Sequence, residues 1–165
     1  MKTMVISLLL FCALGCRADE SLPNPGKDFP PEVRTLLEGA EVVEIFAIHP
    51  YPHEAEGKPA PGEDFQGYKI LGRKKLESVE DRLRIVALIY EACAKPGPFA
   101  ACFNPRHAVR AKRGEEIVEL VICFECDTLR IERPGKPRVT LPIATEVSRS
   151  MNAFYGRKGL SVHGK

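Results

Sequence analysis

The chain has 165 residues, with 24 basic and 22 acidic side chains, 44% apolar positions and 28% charged ones. That is the profile of one ordinary globular domain and not of a disordered tail. A formal net charge of +2 lacks the basic excess of a dedicated nucleic-acid binder, and no polybasic arm is present for a membrane surface.

The N-terminus has a different character. Lys2 precedes an uncharged run from Met4 to Leu14, closed by Gly15 and Cys16, which is the layout of a secretory signal. The run is shorter than the roughly 20 apolar residues that a helix needs to cross a bilayer, so cleavage is expected. Ala13-Leu14-Gly15-Cys16 resembles the bacterial lipoprotein cleavage box, with the first two residues in reverse order. On this reading residues 1–16 are the signal with its box, Cys16 carries the lipid, and the membrane is a partner through that anchor. Arg17 in place of Asp after the cysteine implies the periplasmic face of the outer membrane. Plain cleavage near Gly15 or Ala18, giving a free periplasmic protein, is the alternative. Loss of residues 1–15 removes Lys2 and no acid, so the net charge falls from +2 to +1.

Residues 17–31 hold Pro23, Pro25, Pro30 and Pro31 with Gly26 and read as a tether. The domain is expected over 32–156, with a basic tail at 157–165. Pro31-Glu32 opens a short helical pattern with Val33, Leu36 and Leu37 on one face, ended by Gly39. A β-rich run over 42–48 is expected to stop at Pro50, and the proline-rich stretch 49–64 reads as an extended loop. Residues 65–76 return to extended structure, with Gly67 marking a bulge.

Ser78, followed by Glu80 and Asp81, makes a capping-box-like start for the longest helical pattern. Val79, Leu83, Val86, Ala87 and Tyr90 recur at helical spacing, Ile85 and Ile89 widen the stripe, and Pro96-Gly97-Pro98 stops it. Strands are expected over 108–112, 117–124 and 128–132, joined by Gly114 and a tight turn near Cys126-Asp127, short connections that favour antiparallel pairing. A turn centred near Gly114 or Glu115 then sets His107 opposite Cys123 and brings Cys102 within a loop's reach of Cys126. After Pro134-Gly135-Lys136-Pro137 a brief extended piece is expected to lead into a last helix over 142–155. Together these give an α+β fold: a single, mostly antiparallel sheet of about five strands with two or three helices packed on one face. Leu83, Val86, Tyr90, Leu120 and Ile122 are the predicted core.

Of the six cysteines, Cys12 leaves with the signal and Cys16 is reserved for lipid. The remaining four are Cys93, Cys102, Cys123 and Cys126, three of which lie in the phrases Cys102-Phe103-Asn104-Pro105-Arg106-His107 and Cys123-Phe124-Glu125-Cys126. Three chemistries fit. Two disulfides suit an oxidising compartment, with connectivity open. Cys102, His107, Cys123 and Cys126 offer three thiolates and an imidazole to a tetrahedral zinc, although Asp127 stands where a zinc knuckle usually has Gly. Cys123 and Cys126 alone form a redox pair, but at a strand end no helix dipole lowers their pKa and Glu125 raises it. Arg106 is either an anion or partner contact or an ordinary ion-pair residue. His49 and His53 are four apart, but Pro50 and Pro52 forbid the helix that would align them as a metal pair. No phosphate loop, nucleophile elbow or paired-histidine protease motif occurs.

The two cysteine phrases, together with Phe65-Gln66-Gly67-Tyr68-Lys69-Ile70-Leu71-Gly72, resemble a set of small exported bacterial proteins and lipoproteins that carry the same phrases in the same order. The similarity covers about residues 42–132. It implies a shared domain and site and transfers no reaction. The sequence therefore favours a non-catalytic binding or structural module with a Cys/His cluster, with an envelope protein or small molecule as partner. A thiol-redox or zinc-dependent protein built on the same four residues is the alternative.

Overall fold

The structure is a computed structural model that describes residues 21–52, 62–98 and 101–162. Element order is α1 (Pro31–Glu38), β1 (Val42–Pro52), β2 (Asp64–Phe65), β3 (Tyr68–Lys75), α2 (Val79–Ala94), β4 (His107–Arg113), β5 (Glu116–Cys123), β6 (Thr128–Glu132), β7 (Val139–Pro142), a 3-10 turn (Thr145–Val147) and α3 (Ser148–Arg157). The strands form one antiparallel sheet in the order β2-β3-β1-β4-β5-β6-β7. The α+β fold with a single sheet is as expected, but the strand count is seven among the described residues and not five.

The two extra strands have separate causes. Gln66 (φ 52°) and Gly67 (φ 85°) are the two centre residues of a tight β2–β3 turn, the positive-φ pair that matches strand twist, and the Asp64 carboxylate accepts from the Gly67 amide at 2.7 Å. Gly67 is thus a turn residue and not a bulge. β7 is the brief extended piece expected before the last helix, and it is a paired strand: Leu141 pairs with Leu129 and Val139 with Ile131. Backbone bonds from Ile143 to Asp127 and from Ala144 to Ala92 then hold the chain extended through Ala144, and the 3-10 turn leads into α3, which begins only at Ser148.

β1 also runs through Pro50 to Pro52, contrary to the expected stop. Its pairing with β4 ends at Ala47–His107, and its register against β3 shifts after Ala47 and again after Ile48. The missing proline amides fall where the ladder is already broken, as the edge rule for proline requires.

Side-chain alternation divides the sheet. Val43, Ile45, Ala47, Val109, Ala111 and Leu120 join the buried residues of all three helices in the main core. The opposite face holds a smaller cluster of Phe46, Ile48, Phe65, Tyr68, Ala108 and Val121. The helices do not form the simple layer on the strands that was expected. Only α1 lies close along strands, against β4 and β5, while α2 and α3 lean on each other and on the 3-10 turn.

The expected core is partly wrong as well. Val86, Tyr90, Leu120 and Ile122 are buried, but Leu83 is 43% exposed. On α2 the buried set is Ile85, Val86, Leu88, Ile89, Tyr90, Ala92 and Cys93, a band so wide that the sequence left its phase ambiguous. The Ser78 cap is present, its hydroxyl accepting from the Asp81 amide at 3.1 Å.

Both ends of the domain extend beyond the expected limits. Within the proposed tether, Phe29 is 5% exposed and packs edge-on against Tyr90 at 5.3 Å. Within the proposed tail, Leu160 is buried and comes so close to Gly72 of β3 that a Cβ there would lie 2.9 Å from its Cδ2. The expected signal with Cys16, and His53, lie outside the described residues. No helix among the described residues is long and apolar enough to cross a membrane.

Candidate functional site

The two cysteine phrases meet at the end of the sheet where β5 turns into β6. Cys102 and Cys126 form a disulfide with Cα atoms 5.7 Å apart. Cys93 and Cys123 are buried free thiols. The turn that carries Cys126 is fixed on several sides: Asp127 takes φ 48°, the Thr128 hydroxyl donates to the Cys126 carbonyl at 2.7 Å, and the Thr145 hydroxyl donates to the Phe124 carbonyl at 2.7 Å. This break in the strand lets Cys126 leave the β5 alternation.

The bridge pins the segment after α2 against the sheet. Phe103 then reaches the outer face, where the Arg130 guanidinium stacks 3.4 Å from its ring centre and Tyr68 approaches edge-on. Arg106 is engaged by Glu125 at 2.8 Å and by the Asn104 carbonyl at 3.2 Å. Its position is that of an ion-pair residue bracing the turn, although its buried Nε has no hydrogen-bond partner.

His107 was expected opposite Cys123 but pairs with Ile122, because the turn between β4 and β5 closes on Gly114-Glu115 with Arg113 facing Glu116. Alternation along β4 puts its ring on the helix side with Val109 and Ala111, and the shift of one residue sets Ile122 and not Cys123 beside it. There His107 is 4% exposed, its Nε2 lies 2.7 Å from the Asn152 carboxamide oxygen, and the Tyr155 and Phe124 rings contact it edge-on. Burial, aided by the Arg106 charge, lowers its pKa to about 4, so the ring is neutral at ordinary pH and Nε2 is the N–H donor to Asn152.

Of the four predicted residues, the fold therefore gathers the three cysteines and turns the histidine away. The expected zinc set is not assembled in this state. Cys102 and Cys126 have no thiolate to give, and among the described residues no group of three or more His, Cys, Asp or Glu is disposed to hold an ion. The Cys123–Cys126 pair is not the bonded one. Burial raises the Cys123 thiol pKa, with Glu125 adding to the effect, and burial pushes Cys93 up to about 12. Neither is an activated nucleophile.

The sequence reading missed a second feature. On the outer face, a groove of about 670 Å³ is lined by Glu44, Arg110, Lys112, Ile117, Glu119 and Glu132, with 133–135 closing one side. Cross-strand pairing sets Glu44 beside Arg110, Arg110 beside Glu119 and Glu119 beside Glu132. The two facing glutamates, which alone would repel, are each matched: Arg110 and Gln66 hold Glu119, and Arg138 holds Glu132 at 2.6 Å. Arg110 also covers the rings of Phe46 and Phe65. The period-2 charges of β4 and β5 were the available signal.

No family model, curated protein or solved structure matches this chain, so the functional reading rests on its own residues.

Proposed function

We propose that this chain is an exported envelope protein, anchored through lipid on Cys16, whose domain binds or spaces a partner and does not catalyse. The observation that carries the reading is the Cys102–Cys126 bridge. A structural disulfide in an otherwise well-cored domain is at home in an oxidising compartment, and the apolar leader ending at Cys16 supplies the route there. The state of the neighbouring groups supports the non-catalytic half. His107 is buried and neutral, Cys123 is buried with a raised pKa, and Arg106 is committed to Glu125. What remains open to a ligand is the charged groove on the outer face, whose mixed polar lining suits a polar partner surface or small molecule.

The test is metabolic labelling with a palmitate analogue and fractionation, comparing wild type with Cys16→Ser. The reading expects labelled wild type in the envelope fraction, processed to the mature mass, and an unlabelled variant. Label that persists in Cys16→Ser, or an unprocessed chain in the cytoplasm, overturns it.

A further inference from the structure

Three sulfurs share the β5–β6 corner and only two of them are bonded. Cys123 closes β5 opposite Thr128, three residues before Cys126, and the turn between them removes the alternation that would place them on opposite faces. The backbone groups that act on the Cys123 sulfur in favour of its thiolate belong to Asn104, Cys126 and Glu125. Asn104 lies two residues beyond Cys102, and Cys126 is the other half of the bridge. The free sulfur is thus bracketed by the backbone of Cys126 and that of the segment just after Cys102. Cys93, the other free thiol, has burial as the sole influence on its acidity.

We propose that Cys102, Cys123 and Cys126 form an internal thiol–disulfide exchange site in which Cys123 displaces Cys102 from Cys126. The Cys123 sulfur attacks the Cys126 sulfur, an S–S bond forms between them, the Cys102–Cys126 bond breaks, and its electron pair leaves on Cys102. The proton given up by Cys123 is balanced by one taken up at Cys102, so nothing is oxidised or reduced and no outside thiol is needed. Cys102 is the leaving sulfur because it is the exposed member of the three, and a hydrated thiolate departs more readily than a buried one.

The direct consequence is mechanical. Exchange frees the segment that carries Phe103, whose ring caps Arg130 and meets Tyr68, and leaves Cys102 as an exposed thiol able to exchange with a disulfide of a partner, releasing one of the partner's thiols. Glu125 from the turn acts as a brake by disfavouring the Cys123 thiolate, while Tyr68 from β3, kept neutral chiefly by its burial, adds no charge. Exchange is therefore slow in the closed protein. This inference goes beyond the binding-module reading and does not rest on it.

The test incubates the purified, disulfide-containing protein with N-ethylmaleimide at mildly alkaline pH without reductant, followed by peptide mapping. The expected result is time-dependent labelling of Cys102, a new Cys123–Cys126 linked peptide and unlabelled Cys93. Cys123→Ser and Cys123→Ala keep the Cys102–Cys126 bridge and lose the Cys102 label; two variants guard against one that fails to fold. Three results overturn the proposal: Cys102 that stays unlabelled in wild type, Cys102 labelled equally in the variants, or Cys93 labelled in step with Cys102, which marks global unfolding.

Discussion

Replacing Cys102 and Cys126 together by alanine removes the bridge without leaving a sulfur for Cys123 to capture. The bridge joins residues 24 apart. For a loop of that size the chain-entropy relation gives about 11.6 cal/mol/K, or about 3.5 kcal/mol at room temperature. The loop contains β4 and β5, which pair with each other from His107–Ile122 to Arg113–Glu116. Any hairpin that persists in the unfolded chain shortens the effective loop, so the measured loss should fall at or somewhat below that figure. Urea unfolding of oxidised wild type and of the double variant measures it. The midpoint should drop, and the m-value should rise, because an uncrosslinked unfolded chain exposes more surface. A loss below about 0.5 kcal/mol, the range of a neutral surface change, with an unchanged m-value would refute the reasoning that the bridge acts through the unfolded state.

Acid stability follows from His107. Its pKa is about 4 in the folded protein against 6.5 for a free side chain, so between those values the unfolded chain binds the extra proton and stability falls as pH falls. The difference of about 2.5 units corresponds to about 3 kcal/mol. His107→Gln should show a shallower loss than wild type over that window, and identical slopes in the two proteins would count against a buried neutral ring. On α2, Leu88→Ala should cost about 2–5 kcal/mol and Leu83→Ala less than about 0.5 kcal/mol, read by thermal or urea unfolding. Equal costs would place the buried face elsewhere.

The parts of the fold legible in the sequence are those fixed by local chemistry. Pro31 at a helix start and Gly39 at its end bound α1 as expected, the Ser78 hydroxyl caps α2, and the hairpin through Gly114 set β4 against β5. What stayed hidden depends on partners far along the chain. Pro50 suits a strand because β1 has by then lost its β4 neighbour. Residues 139–142 read as a brief extended piece, but that they pair with β6 depends on a partner their own pattern does not name. The site divides the same way. That Cys102 could reach Cys126 followed from the hairpin, but whether Cys123 lies beside His107 turned on a single residue of register. Leu83 failed because seven buried positions on α2 leave no polar face sharp enough to fix the helix rotation.

The central claim is that the Cys102 segment is bolted to the β5–β6 turn while Cys93 and Cys123 stay reduced. Its most direct test is disulfide mapping of the wild-type protein isolated from the envelope fraction, with free thiols blocked in acid before digestion. The account predicts a Cys102–Cys126 linked peptide as the dominant species, with Cys93 and Cys123 recovered as blocked thiols. Recovery of all four as free thiols, or a bridge that includes Cys93, would contradict it.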